Sequence, residues 1–233
     1  DLFEGMLIAL DAFIDTCGYY QQQALELAEE ASDQQRQAEL QEMARVLEVI
    51  TVSPPSSLHE AIQLSFLYSM MCGTIEFGRM DVYLGEFYVN DIDQGVITED
   101  QALALMHTVW RLINDQIRDV DGRVIIGGKG RPNEEIADRF ALLALETTRT
   151  YGKAILPQLT LRFYEGMNPE LLEKAYELIG EGHTFPLLYN DDVLVEATAH
   201  AMDIPASVAE HYCPLGCGEI VLDHMGFGTP NGA

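Results

Sequence analysis

Apolar residues recur at helical spacing through the first half of the chain, and strand spacing joins them in the second. Residues 2 to about 49 read as two long helices. The second, over 34–50, is strongly polar, with Leu40, Met43, Leu47 and Ile50 at helical intervals. Pro54-Pro55 breaks the pattern. Ser57 and Glu60 then form a capping-box pattern, and the helix they open runs to about Cys72. Residues 73–81 read as a loop or tight turn and 82–91 as helical. Thr98 and Gln101 form a second capping box. Leu103, Met106, Trp110, Ile113 and Ile117 follow at intervals of three and four, the stripe of an amphipathic helix with Trp110 in its core.

The second half alternates between the two periods. Residues 123–127 read as a short strand ending at Gly127-Gly128, and Ile136, Phe140 and Leu143 mark a helix. Over 157–163, Leu159, Leu161 and Phe163 fall on one face and Gln158, Thr160 and Arg162 on the other, which is strand alternation. The polar face either lines an interior or meets solvent. Asn168-Pro169 opens a helix to Ile179 with Gly180 past its end. Residues 185–189 form a short strand, Asp191 caps a helix to about Met202, and Pro205 starts a last short helix. Strands alternating with helices predict an α/β fold with a mainly parallel sheet or barrel, and in such folds the loops leaving the strands carry the chemistry.

Charge narrows the function classes. Thirteen basic against 38 acidic residues leave a formal net charge of −25, a surface that repels phosphate backbones, so nucleic acid is excluded as a partner. No apolar run reaches membrane-spanning length, and no signal peptide is visible. Cys17, Cys72, Cys213 and Cys217 are too few for a disulfide framework, which predicts reduced thiols in a cytoplasm. The chain starts at Asp1 inside a helical pattern and stops at Ala233 after a Gly/Pro/Asn turn. Both ends are expected to be cuts through a longer protein.

The sharpest chemistry is Gly216-Cys217-Gly218-Glu219. Glycines allow backbone conformations closed to other residues and close approach of another chain or a substrate. The thiol of Cys217 can give up a hydrogen atom or an electron pair, and the carboxyl of Glu219 can move a proton. The plainer alternatives are a buried structural thiol and a solvated glutamate. His211, Cys213, Cys217 and His224 invite a zinc reading, but the paired knuckle of a structural zinc site is missing. Arg79 and Asp81 either meet substrate or form a buried ion pair at a turn. Cys17 and Cys72 read as small apolar residues on helix faces.

Several stretches, in order, resemble the glycyl radical enzymes of the pyruvate formate-lyase family. Residues Pro54-Pro55-Ser56-Ser57-Leu58-His59-Glu60-Ala61-Ile62-Gln63 are similar to a helix start of that family. Gly78-Arg79-Met80-Asp81 resembles its GR-x-D motif, and Gln158 to Arg162 its glutamine-led barrel strand. Phe185-Pro186 with Asn190-Asp191 resembles its P-x-x-x-ND turn. Tyr212 to Glu219 resembles its tyrosine followed by GC-x-E, and Thr229-Pro230-Asn231-Gly232 the turn after the cysteine loop.

The resemblance implies part of a ten-stranded α/β barrel: a first half-barrel and a cysteine finger loop, wrapped by helices. Residues 1–75 would be outer helices and 76–233 the half-barrel strands, helices and cysteine loop. Cys217 would carry a thiyl radical and Glu219 would be the acid/base beside it, with Asp81, Arg79 and Gln158 as candidate substrate contacts. No cofactor or metal would bind the chain directly. The radical would reside on a glycine outside it, in a C-terminal glycyl radical domain that this sequence lacks. A separate iron–sulfur activating enzyme using S-adenosylmethionine would generate it. Partners would be a small-molecule substrate, the activating enzyme and, at full length, a second copy in a homodimer.

Pyruvate formate-lyase itself uses two adjacent cysteines. Here Cys217 stands alone and Cys213 is four positions away, and Gly218 stands where many relatives carry valine. A single cysteine with glutamate at plus two is similar to the eliminating branch, which cleaves C–O, C–N, C–S or C–C bonds. A dehydratase-like lyase is therefore the expectation, with formate C-acetyltransferase-like chemistry beside it. The isolated chain would be inactive. The alternative is a non-catalytic scaffold or subunit that needs a partner chain for the radical glycine.

Overall fold

A computed structural model describes residues 1–73, 76–116, 122–216 and 218–222. The chain divides into two compact units, Asp1–Thr74 and Ile75–Ala233.

The first unit is helical: α1 (Leu2–Glu30), α2 (Gln34–Val52) and α3 (Leu58–Cys72). Each start has a side-chain cap, from Asp1, Asp33 and Ser57, which satisfies a backbone amide that the helix leaves free. The box read at Ser57 closes differently from the pattern. The Ser57 hydroxyl accepts from the Glu60 N–H (3.3 Å), but the Glu60 carboxylate turns to the backbone N–H and hydroxyl of Ser56 (2.8 and 2.9 Å) and to Arg45 (3.0 Å). Cys17, Val46, Leu47, Ile50 and Leu67 form a buried cluster. Leu40 is buried too, whereas Met43 of the same stripe is exposed. Cys17 fits its reading as a small apolar core residue; Cys72 lies at the exposed end of α3.

The second unit alternates. In order come β1 (Glu76–Arg79), α4 (Met80–Asp93), α5 (Glu99–Gln116), β2 (Arg123–Gly127), α6 (Glu134–Tyr151), β3 (Gln158–Phe163), α7 (Pro169–Gly180), β4 (Leu187–Asn190), α8 (Asp191–Met202), α9 (Ala206–Ala209), β5 (Tyr212–Leu215) and β6 (Glu219–Leu222). Strands β1 to β4 form a parallel sheet in sequence order, and β5–β6 form an antiparallel hairpin. Every residue of β2 is buried, as its Val124-Ile125-Ile126 run requires of a strand covered on both faces.

The capping box at Thr98 and Gln101 closes in both directions (2.9 and 3.2 Å). Met106, Trp110 and Ile113 of α5 are buried, and the Trp110 indole N–H donates to Thr148 on α6 (3.1 Å). Ile117 of the same stripe lies outside the described residues. Three sequence expectations change. Residues 76–79, read as loop, form β1. Gly180 lies inside α7. Helix α8 is capped by Asn190, whose side chain accepts from the Asp192 N–H (2.9 Å), and Asp191 is its first residue. Among the described residues no helix is long and apolar enough to cross a membrane.

Candidate active site

The first residues of three strands stand side by side: Glu76 of β1 pairs in register with Arg123 of β2, and Arg123 with Gln158 of β3. Arg123 is almost fully buried and directs both of its terminal nitrogens to acceptors inside the protein, while its Nε has no partner among the described residues. It donates to Thr160 Oγ1 (3.1 Å), Gln158 Oε1 (3.0 Å) and the backbone carbonyl of Gly216 (2.5 Å). The Glu76 carboxylate accepts from the backbone N–H of Arg123 (3.2 Å) and of Gly216 (3.0 Å). Both backbone polar groups of Gly216, the residue before Cys217, are therefore held by side chains of the sheet.

The turn between β5 and β6 thus sits against the N-terminal ends of the parallel strands. The hairpin begins near their C-terminal ends, where the Tyr212 hydroxyl donates to Asp191 (2.6 Å), and runs back along the sheet, with β5 packed against β1 and β2. The Gly216 end of the hairpin therefore lies at the opposite end of the strands from the loops that leave them. Gly216 has φ +50°, and a Cβ there would stand 2.7 Å from the Glu219 carboxylate. The exposed side chain of Glu219 accordingly folds back over the turn from the first position of β6. Cys217 lies outside the described residues, as do His224 and the 229–232 turn. Among the described residues no group of three or more His, Cys, Asp or Glu converges as metal ligands.

The C-terminal ends of the strands hold a separate ionic network. Arg162 and Asp191, both fully buried, make a two-pronged pair (3.0 and 2.8 Å), and Arg162 also donates to the carbonyls of Tyr212 (2.8 Å) and Glu210 (2.9 Å). Its guanidinium lies 3.8 Å from the Tyr212 ring centroid, a cation–π contact. Asp191 accepts in addition from the Lys129 N–H (2.7 Å). Burial raises the Tyr212 phenol, with Arg162 pulling it down and Asp191 pushing it up. The polar face of β3 is therefore an interior face.

Asp81 is also fully buried. It accepts from the Gly127 N–H (2.8 Å) and from Arg131 (3.2 Å), so its ion pair forms with Arg131 and not with Arg79. Burial raises the Asp81 carboxyl against the pull of the Arg131 and Arg79 cations. Arg79 donates to the carbonyls of Gly127 and Lys129 (both 3.0 Å), and burial, with Arg162 nearby, pushes it down to about 10. Arg79 and Asp81 thus grip the loop leaving β2, while Gln158 joins the row beneath the cysteine turn. Glu76, Arg123 and Arg131 were not singled out from sequence. The usable signal at Arg123 was a cation opening an otherwise apolar buried strand.

Residues 1–229 match the pyruvate formate lyase-like family. The isethionate sulfite-lyase of Nitratidesulfovibrio vulgaris is 28% identical over 99% of this chain, and the (2S)-3-sulfopropanediol dehydratase of Klebsiella oxytoca is 26% identical over the whole of it. The chain spans about 30% of the length of each. A solved structure concerned with 1,2-propanediol dehydration in Roseburia inulinivorans superposes with a TM-score of 0.84 at 26% identity, covering 94% of this chain and 30% of that one. The parallel sheet with its helices matches part of the α/β barrel of glycyl radical enzymes. The ordered motifs, the barrel strands and the match over nearly the whole sequence agree, and the chain belongs to the pyruvate formate lyase-like family.

Proposed function

We propose that this chain is the cysteine-bearing part of a glycyl radical lyase of dehydratase type, in which Cys217 carries a thiyl radical and Glu219 moves the proton. The observation that carries the reading is a single cysteine in the Gly-Cys-Gly-Glu tetrapeptide, followed at plus two by a carboxylate that folds back over Gly216. The names of the relatives, a sulfite-lyase and a dehydratase, support elimination as the reaction class. A glycyl radical outside this sequence, installed by an S-adenosylmethionine iron–sulfur activating enzyme, supplies the unpaired electron. The full-length protein works as a cytoplasmic homodimer.

The residues of this chain act on a vicinal substrate as follows. The Cys217 sulfur takes a hydrogen atom from the carbon bearing a hydroxyl: S–H forms, C–H breaks, and the unpaired electron passes to carbon. That radical's hydroxyl is far more acidic than its parent's, and the Glu219 carboxylate accepts its proton. The bond to the leaving group on the neighbouring carbon breaks heterolytically. Where hydroxide leaves, Glu219 returns the proton to it and water departs. The carbonyl-bearing radical then takes the hydrogen back from Cys217. Proton transfer by a positioned side chain contributes about two to four powers of ten in rate.

The test uses the full-length protein, activated anaerobically, with propane-1,2-diol and isethionate as probes. Cys217→Ser is expected to abolish turnover while the radical still forms. Glu219→Gln should lower kcat by about 10² to 10⁴. Turnover by Cys217→Ser at the parent rate would overturn the reading.

A further inference from the structure

We infer that Glu76 and Arg123 are positioning residues that clamp the backbone of Gly216 from both sides and thereby set where the Cys217 sulfur stands. The inference rests on the proposed role of Cys217. Gly216 and Gly218 (φ +50° and +117°) carry no side chain with which to anchor themselves to the rest of the protein. A misplacement near 1 Å can cost about a hundredfold in rate. The sheet supplies the anchor. Glu76 receives the Gly216 N–H at 3.0 Å and Arg123 binds its carbonyl at 2.5 Å.

The two clamping side chains are themselves fixed. Glu76 and Arg123 face each other in register, and the second oxygen of Glu76 holds the Arg123 backbone at 3.2 Å. Thr160 and Gln158 anchor the Arg123 fork from β3. Hydrogen bonds to charged groups are the strong ones, and a buried guanidinium with fixed acceptors loses little freedom in making one more. Every partner in this arrangement is a group of the chain itself.

The readout is the electron paramagnetic resonance signal of the activated full-length enzyme. The radical's own α-hydrogen splits that signal. In D2O, a thiol within reach gives deuterium to the radical carbon and takes the hydrogen in return, so the splitting collapses at a rate that reports thiol position. Arg123→Gln should keep the radical yield and the KM for propane-1,2-diol, slow the collapse by up to about a hundredfold, and lower kcat in parallel. Arg123→Lys should recover part of both. Glu76→Gln, which keeps its shape and one accepting oxygen, should slow the collapse less, and it remains the test if Arg123→Gln does not fold. Parent-rate collapse in both variants overturns the clamp. So does a raised KM with unchanged collapse, which would make Arg123 a substrate ligand. Cys217→Ala separates the two levels: it must abolish the collapse, and if it does not, the role of Cys217 falls and not merely the clamp.

Discussion

Asp191 receives four hydrogen bonds: two from Arg162, one from the Tyr212 hydroxyl and one from the Lys129 amide. A buried ion pair is weak evidence of net stabilisation, but removing one partner leaves an uncompensated charge in the interior. Asp191→Asn is therefore expected to cost about 3–5 kcal/mol, read as a fall in the urea midpoint with unchanged slope. Tyr212→Phe keeps the ring under Arg162 and removes only the 2.6 Å bond to the carboxylate, so its cost should be about 1–3 kcal/mol. If the two variants unfold at the same midpoint, the charge is not what dominates at Asp191. Alternation displayed Gln158, Thr160 and Arg162 as one face, but it carried no sign of that face's surroundings. The partner of Arg162 lies 29 residues away and reads, from sequence, as a helix cap. Local pattern identifies a cap position and is silent about which of two neighbouring side chains, Asn190 or Asp191, does the capping.

Helix α3 begins at a local ionic knot, in which Glu60 is almost wholly buried among Ser56, Arg45 and the helix start. Burial pushes the Glu60 carboxyl up, but the bonds from Ser56 and Arg45 outweigh it and leave the carboxyl below its ordinary value. A carboxyl held low in the folded state adds stability above its unfolded pKa, about 4.3, and loses it as pH falls through the folded value. Glu60→Gln should therefore lower the urea midpoint at pH 7 and narrow its difference from the parent near pH 3. An equal difference at both pH values would remove Glu60 from the acid response.

The long elements of the fold were legible because their periodicity persists over many residues, as in α5 and β3. The short ones were not. Strand β1 has four residues, one of them Gly78 at φ +59°, and β5 contains Pro214, which argues against a strand on local grounds. Both exist because neighbouring strands pair with them. The proposed site was legible to the same extent. Its thiol and carboxylate stand in one tetrapeptide, while the clamp depends on a pairing 93 residues apart, between Arg123 and Gly216.

At the scale of the whole molecule, the N-terminal half of α1 turns apolar side chains to solvent: Leu2 and Phe3 are each 75% exposed, and Met6, Leu7, Ile8 and Leu10 are exposed as well. Exposed apolar side chains grouped in this way favour adhesion to apolar molecules. The 233-residue chain is expected to bind a hydrophobic dye strongly, and Leu7→Lys with Ile8→Lys should suppress the binding. Dye fluorescence unchanged by the pair would place the sticky surface elsewhere.

The loop leaving β2 has one further property. The Lys129 amide donates to the buried carboxylate of Asp191, as the Gly127 amide at the end of the strand does to that of Asp81. Loop amides ordinarily trade hydrogen for deuterium through small local openings. Here such an opening would take one hydrogen bond from each of two buried carboxylates, so the cheapest route to solvent is expected to be loss of the whole unit. Amide exchange at Gly127 and Lys129 should accordingly be as slow as at Ile125 or Leu161. Exchange as fast as at Gly166, in the turn after β3, would mean that the loop opens by itself. If the slow pattern holds, two positions at the rim of the sheet report on global unfolding, and the stability of the parallel sheet can be followed at its periphery.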